Sequence, residues 1–325
     1  MSSTRNKLIK ILSEKKGEYI SGQELSEKLQ VSRSAIWKHM NELKKDGYII
    51  EGVAKKGYRI ISAPKTVTEN TIMWGLETKW LGKNVIHRDS IESTQTLAHQ
   101  LALDGAKHGT IVVANEQTKA RGRVSRKWYS PKGKIIAMSM ILRPDIFPYL
   151  APQLTLLTAT VLANVLDEHC GIKPQIKWPN DILINGKKVA GILTEMQAEQ
   201  DKVLYVIIGI GMNINQTENE IAEEIRNRAT SLFIETKVEW EIVPIIQKIL
   251  EQFEKKYDAY LVEGFKDVKE TWENYGFKIN ERLKIKTAKE TFEAIFRGIG
   301  EDGALLAEKS DGSVEKIYSA EIAWF

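Results

Sequence analysis

The sequence predicts an α+β chain built of three unequal parts, and three observations predict it. At 325 residues the chain is longer than one ordinary domain. Apolar residues at helical spacing fill its start, helices and strands alternate through its centre, and short alternating strands punctuated by glycine fill its end. The hydrophobic share of 42% suffices for a sizeable core. Boundaries fall at 1–63, 64–273 and 274–325, with Ala63-Pro64-Lys65 reading as a linker.

In the first part, Leu8, Ile9, Ile11 and Leu12 give one helix its apolar stripe. Ser21 and Glu24 stand at capping-box spacing and open a second helix, with Leu25 and Leu29 facing inward. Val31 sits in the turn, and Ser32 caps a third helix that runs to about Lys45 on the inner face Ala35, Ile36, Met40 and Leu43. Tyr48–Glu51 and Tyr58–Ile61 make the strands of a wing with Lys55-Lys56-Gly57 at its tip, so the unit is a winged helix-turn-helix. Residues 1–63 hold 13 Lys/Arg against 7 Asp/Glu, an excess of six in a chain whose net charge is +4, so the remainder carries −2. That division favours a phosphate backbone as partner, although such units also serve as protein-docking modules. Ser32, Arg33, Ser34, Lys38 and Asn41 on the third helix, with Lys55 and Lys56 on the wing, are the expected DNA contacts, and Lys44 is a further backbone candidate. Trp37 is expected to pack rather than read.

In the central part, helices are expected over 94–104, 154–170 and 242–261, and strands over 110–115, 134–142 and 203–210. The loop Gln117–Trp128 sets Arg121, Arg123 and Arg126 around Gly122 and ends on Trp128. Guanidinium forks suit carboxylate and phosphate oxygens, and an indole face suits a flat base, so the loop fits an anionic molecule with a ring. A solvated basic loop, or one that contacts nucleic acid, fits the same residues. Residues 177–196 read as a hairpin turning at Asn185-Gly186. A two-residue turn pairs Ile184 with Lys187, Leu183 with Lys188 and Asp181 with Ala190. Asp181 and Lys188 then share one face, as an ion pair or as a phosphate and metal site, while Ile182, Ile184, Val189 and Leu193 cover the other. In the last part, 282–286, 291–297 and 304–308 alternate as strands of a small SH3-like β-barrel, a structural lid with no assigned catalytic residue.

Four segments together resemble the biotin–protein ligase family. They are the arginine loop, Lys177-Trp178-Pro179-Asn180-Asp181, Asp89–Gln95 with Ser93-Thr94-Gln95, and Gly209–Asn215. With the winged helix in front, the full length resembles the bifunctional class that is ligase and biotin-responsive repressor in one chain. The resemblance implies a mixed-sheet α/β ligase domain of the biotin/lipoate ligase type. It implies formation of biotinyl-5'-AMP from biotin and ATP with Mg2+, and biotin transfer to a lysine of a carboxyl-carrier domain such as that of acetyl-CoA carboxylase. It further implies a homodimer that binds operator DNA when the adenylate is bound. By the same resemblance Ser93, Thr94, Gln117 and Gly191 hold biotin, Arg121 and Arg123 close over biotin and phosphates, and Lys188 sits between carboxylate and α-phosphate. Arg126, Trp128, Asn213 and Arg228 hold the nucleotide, and Asp181 orients magnesium. The chain departs from the family pattern at Ala120 and Ser125, where glycines are usual, and at Ala137, where tryptophan is common. A positive φ at Ala120 would cost on the order of 1 kcal/mol.

Composition narrows the classes further. Cys170 is the only cysteine, which excludes an intrachain disulfide and a cysteine-rich zinc site. The polar, basic start lacks a signal-peptide core, and no stretch approaches the roughly 18–20 apolar residues of a membrane span, so a cytoplasmic, membrane-free protein is expected. Gly209-Ile210-Gly211 lacks the third glycine of a dinucleotide fingerprint, and no P-loop occurs. Two alternatives remain: a ligand sensor that has lost ligase activity, and a lipoate-type ligase. The retained Arg121, Arg123, Arg126 and Lys188 weigh against the first, and the Lys177–Asp181 segment against the second.

Overall fold

Helix α1 (Thr4–Glu14) turns Leu8, Ile9 and Leu12 into a small core, while Ile11 is only partly covered. This is seen in a computed structural model that describes residues 4–15, 17–288 and 290–324, apart from the side chains of Asn6, Glu14 and Ser125. Helix α2 (Gly22–Leu29) starts at Ser21, whose Oγ accepts from the amide of Glu24 at 3.0 Å. The capping box is half made: the Glu24 carboxylate pairs with Lys28 one turn on (2.9 Å), a charged partner that competes with the Ser21 amide. Helix α3 (Arg33–Lys45) starts at Ser32, whose Oγ accepts from the amide of Ala35, and buries Ile36, Met40 and Leu43. Strands β1 (Ile49–Val53) and β2 (Gly57–Ser62) pair antiparallel as the wing. The expected elements of this part all form.

A short helix α4 (Glu69–Met73) leads into the central unit, and Trp74 after it packs back on the winged-helix core. The sheet there has seven strands: β3 (Asn84–Ile91), β4 (Thr110–Gln117), β5 (Ile135–Leu142), β6 (Gln175–Lys177), β7 (Asp181–Ile184), β8 (Lys187–Glu199) and β9 (Lys202–Asn213). Their spatial order is β3-β4-β5-β9-β8-β7-β6, and only β3–β4 is parallel. Every residue of β5 is buried, as befits a central strand rich in isoleucine and methionine. Helix α5 (Thr94–Leu103) covers one face, setting Ala98 and Ala102 against Val112, Ile141 and Ile207. Helices α6 (Ala151–Asn164) and α8 (Ile242–Glu263) cover the other, with α7 (Leu232–Thr236) leading into α8.

The expectation that no stretch reaches membrane-spanning length needs one correction. Pro148–His169 is helical, 22 residues long and apolar enough by composition. It is a core helix all the same, since 72% of its apolar window is buried. Its short 3-10 start and the wider turn at Val165–His169 extend α6 in both directions.

Helix α9 (Lys266–Tyr275) carries Trp272 edge-on to Phe296 at 6.3 Å and seats the last part on the centre. Strands β10 (Arg282–Lys286), β11 (Thr291–Ile299), β12 (Leu305–Glu308), β13 (Val314–Ile317) and β14 (Glu321–Ala323) form one antiparallel sheet in the order β13-β12-β11-β10-β14. Among the described residues no pairing of β13 with β14 closes it into the expected barrel. The hydrophobic core of the last part is continuous with that of the centre, and Trp178 Nε1 donates to the Gly303 carbonyl across the junction (3.2 Å).

Candidate active site

The site lies on the α5 face of the sheet, just past the N-terminus of that helix. Small residues form its floor. Ala114, Ala137, Gly211 and Gly191 stand side by side across four strands, and Asp181 ends the row on β7. The glycines are needed there: a Cβ on Gly211 would lie 2.6 Å from Trp128 Cε2, and one on Gly191 2.9 Å from Lys188 Nζ. Trp128 thus packs against the floor; its buried Nε1 has no hydrogen-bond partner among the described residues, and Lys188 Nζ lies 5.3 Å from its ring. Ala137, where the family often has tryptophan, keeps this floor low.

The hairpin register differs from the expected one by a bulge. Ile184 pairs with Lys187 and Leu183 with Lys188, but Ile182 pairs with Ala190 and Asp181 with Gly191, because Val189 is an extra residue on β8. Ile182, Ile184 and Val189 are buried as expected. Beyond the bulge the alternation slips, so Ile192 rather than Leu193 joins the core and Leu193 is only partly covered. Lys188 and Asp181 still meet, Nζ to Oδ1 at 2.6 Å, and Lys177 approaches the other oxygen at 3.8 Å. Burial pushes the Lys177 ammonium below the ordinary lysine range; Asp181 opposes the shift, while Lys188, Arg126 and Arg228 add to it. Arg123 is half-buried, with Nη1 donating to Asn180 Oδ1 at 3.3 Å. Burial lowers its pKa too, against the attraction of Asp181 and with the repulsion of Arg126. Five cations therefore gather about Asp181, an arrangement that attracts a polyanion.

Polar side chains line the other end. Thr94 is buried, and both its amide and its Oγ1 donate to Gln117 Oε1 (2.8 and 3.0 Å). Its hydroxyl also meets Ser139 Oγ at 3.0 Å, and Gln117 Nε2 donates to Ser130 Oγ at 3.2 Å. Ser93 caps α5, its Oγ accepting from the Thr96 amide at 3.4 Å. Arg121 forks onto Glu195, with Nη1 to Oε1 at 2.8 Å and Nη2 to Oε2 at 3.1 Å. Arg126 and Arg228 are exposed. Asn213 is buried, and its Nδ2 donates to the Thr230 carbonyl (2.9 Å), a bond that braces the segment carrying Arg228. The Lys188 amide donates to the Arg228 carbonyl (2.8 Å), tying that segment to the hairpin.

Ala120 is buried and its φ is not positive, so the replacement of glycine there carries no backbone strain. The strained residue is Val124, four positions on, at φ 53 and 87% exposed, a left-handed conformation that costs a non-glycine residue about 1–2 kcal/mol. Among the described residues no group of three or more His, Cys, Asp or Glu is placed to hold a metal. Asp181, already bridged by two lysines, offers a magnesium ion at most one carboxylate.

A cavity of about 280 Å³ opens on the opposite face of β8, between α6 and the last part. Arg123 alone of the expected site residues lines it, beside Trp178, Thr194, Asp302 and Tyr318.

On the winged helix, Ser32, Arg33, Ser34, Lys38, Lys44, Lys55 and Lys56 are all exposed and Asn41 is half-buried. Trp37 overturns the expectation that it packs. It is 61% exposed, because α3 already fills its inner face with Ile36, Met40 and Leu43 one side of the helix away. Sequence reasoning also passed over His99, Ser139 and Glu195, and gave Gln95 only as part of the Ser93-Thr94-Gln95 segment. The period-two spacing of Glu195 from Gly191 on β8, and the four-residue spacing of Gln95 and His99 on α5, are the signals that place them on the site face.

Known proteins carry the same features. Residues 88–213 match the biotin/lipoate A/B protein ligase family, 4–59 an HTH domain and 278–323 the biotin protein ligase C-terminal domain. The bifunctional ligase/repressor BirA of Bacillus subtilis is 47% identical over 99% of this chain and 98% of its own length. That of Escherichia coli is 30% identical over 98% and 96%. Biotin protein ligase from Aquifex aeolicus, solved with biotin and ATP, superposes with a TM-score of 0.65 at 33% identity, covering 74% of this chain and 98% of its own.

Proposed function

This chain belongs to the family of bifunctional biotin–protein ligases and repressors, and from that premise we propose how its own residues divide the work. It is an ATP-dependent biotin–protein ligase that also represses transcription through its helix-turn-helix domain. Biotin and ATP are its substrates, a carrier-domain lysine its acceptor and operator DNA its second partner. We assign the winged helix to 1–63, the catalytic unit to 64–273 and the small sheet to 274–325, in a cytoplasmic protein.

In the first step biotin's carboxylate oxygen attacks the α-phosphorus of ATP, the bond to the β-phosphate oxygen breaks, and pyrophosphate leaves. In the second the acceptor amine attacks the biotinyl carbonyl, and AMP leaves as the new amide forms. Both steps depend on positioning and charge neutralisation rather than on an enzyme nucleophile. Lys188, held over the floor by Asp181, stabilises the charge growing between carboxylate and α-phosphate. Arg123 and Arg126 take phosphate oxygens, and Arg228 and Trp128 take the adenine side. Thr94 and Gln117 present hydrogen-bonding groups to the ureido ring, with Ser93 shaping the end of α5 beside them and Gly191 admitting the ligand. Asn213 serves the nucleotide indirectly, through the Thr230 carbonyl. Magnesium would arrive with the nucleotide, its phosphate oxygens supplying most ligands and Asp181 at most one. The observation that carries this reading is the gathering of five cations beside a glycine floor and the Thr94–Gln117 network.

For repression, we propose that the adenylate-bound chain forms a homodimer that sets two copies of α3 on a palindromic operator. Arg33, Ser34, Trp37 and Asn41 would face base edges; Ser32, Lys38, Lys44, Lys55 and Lys56 would face phosphates. The test is transfer of labelled biotin to a purified carrier domain with ATP and magnesium. Transfer is expected from the wild type. Its absence, with biotin still bound, would replace the ligase reading with that of a sensor.

A further inference from the structure

The three loop arginines do not do the same job. Arg126 is exposed and Arg123 is steadied by one neutral oxygen, but Arg121 is bound at both ends of its fork by a single carboxylate. That carboxylate, Glu195, projects from β8 two residues beyond Leu193 and is itself fixed from α5. Gln95 Nε2 donates to its Oε2 at 3.0 Å, and His99 Nε2 lies 3.2 Å from the same oxygen. Gln95 Oε1 in turn accepts from Ser139 Oγ (3.0 Å), and Ser139 meets Thr94, which meets Gln117. A continuous line of polar contacts thus runs from the tip of Arg121 to the side chains assigned to biotin's ring, with two hydroxyl protons serving the three contacts of Ser139 and Thr94. Glycine at 209 makes room for its middle: a Cβ there would come within 2.5 Å of Gln95 Oε1.

We propose that Glu195 is a positioning residue for biotin: by holding Arg121 it pins the start of the loop over the pocket and links loop closure to the Gln95–Ser139–Thr94–Gln117 network. Arg121 acts as a strut on this view, and the free charge for phosphate comes from Arg123 and Arg126. Burial works against a charged Glu195, and the hydrogen bonds from Arg121, Gln95 and His99 outweigh it, holding the carboxyl below its ordinary range and so ionised near neutrality. A bidentate arginine–carboxylate pair with one member already fixed loses little freedom on forming. The backbone at the start of the loop is tied to the preceding segment by the amides of Thr118 and Lys119, which donate to the carbonyls of Ile91 and Glu92, and to the end of the loop by the Ala120 carbonyl, which accepts from the Trp128 amide.

The inference rests on the ligase reading, and the experiment separates the two. Adenylate formation is followed by pyrophosphate release in the full-length wild type, Glu195→Gln, Glu195→Asp and Arg121→Ala. Loop order is followed by trypsin cleavage within 119–127, where five basic residues offer sites. In Glu195→Gln the KM for biotin is expected to rise about ten- to a hundredfold, with kcat changed far less. Cleavage of the unliganded loop should quicken about tenfold. Glu195→Asp, which restores the charge, should recover part of both. Arg121→Ala approaches the same link from the exposed loop, where folding is not at risk, and the double variant Glu195→Gln/Arg121→Ala should be no worse than the poorer single. Wild-type KM and cleavage rate in Glu195→Gln, or a double variant whose defect is the product of the two singles, would overturn the proposal. A wild type that makes no adenylate would overturn the ligase reading instead.

Discussion

Two basic surfaces of this molecule look alike in sequence and differ in how their charges are held. In the ligase site Lys188 is bridged to Asp181 and Arg123 leans on the amide oxygen of Asn180. On the winged helix Arg33, Lys38, Lys55 and Lys56 stand in solvent, and none of them has a carboxylate partner within 4 Å among the described residues. The lesson is one of preorganisation. A cation that must meet charge developing at one point is held beforehand by a partial counter-charge, whereas a cation that meets a regular phosphate lattice can find its contact on arrival.

The sharpest way to break this comparison is within the site. Arg123→Ala should slow adenylate formation by about two to three orders of magnitude, the scale of losing one preorganised group. Operator binding in a gel-shift assay should fall only as far as adenylate-driven dimerisation is lost, leaving salt-sensitive nonspecific binding intact. Gly211→Ala comes next. Its Cβ would strike the Trp128 ring, so the indole must lift from the floor, and adenylate formation should drop about tenfold with little change in melting temperature. On the winged helix, Trp37→Ala should weaken operator binding by about 1–3 kcal/mol, the scale of a base contact, without touching ligation. Lys55→Ala/Lys56→Ala should flatten the plot of log affinity against log salt by about two.

The smallest effect is one of pH. Glu195 has its pKa lowered in the fold, so its ionised form stabilises the folded state above the unfolded value of 4.5, and this contribution is lost as pH falls below that value through the folded one. Calorimetry from pH 7 to pH 3 should find wild type melting above Glu195→Gln at neutrality and the gap closing below about pH 4.5. A gap that widens on acidification would contradict the sign.

How much could be read before the fold was known follows the same physics. The winged helix was legible because its caps and apolar stripes are local: Ser21, Ser32, Ile36 and Met40 declare themselves by spacing. The arginine loop and the Lys177–Asp181 segment were legible as motifs. Strand β3 was not, because Asn84–Ile91 is an edge strand whose His87, Arg88, Asp89 and Ser90 mask the alternation. The bulge at Val189 was invisible to a rule that counts residues outward from the turn, and it moved Asp181 from Ala190 to Gly191. Glu195 was missed because its partners are about a hundred residues away on another element, where only tertiary packing brings them together. Trp37 was misread because an aromatic side chain ordinarily finds a core; here the core was already filled.

One preparation of Lys188→Ala tests the central claim most directly, with adenylate formation and DNA binding measured side by side. The account predicts pyrophosphate release reduced by two orders of magnitude or more, on the scale of about 10²–10³ for one lost stabilising group, while salt-dependent binding to duplex DNA matches that of the wild type without biotin. Turnover near the wild-type rate, or loss of both activities together in a folded protein, would contradict it.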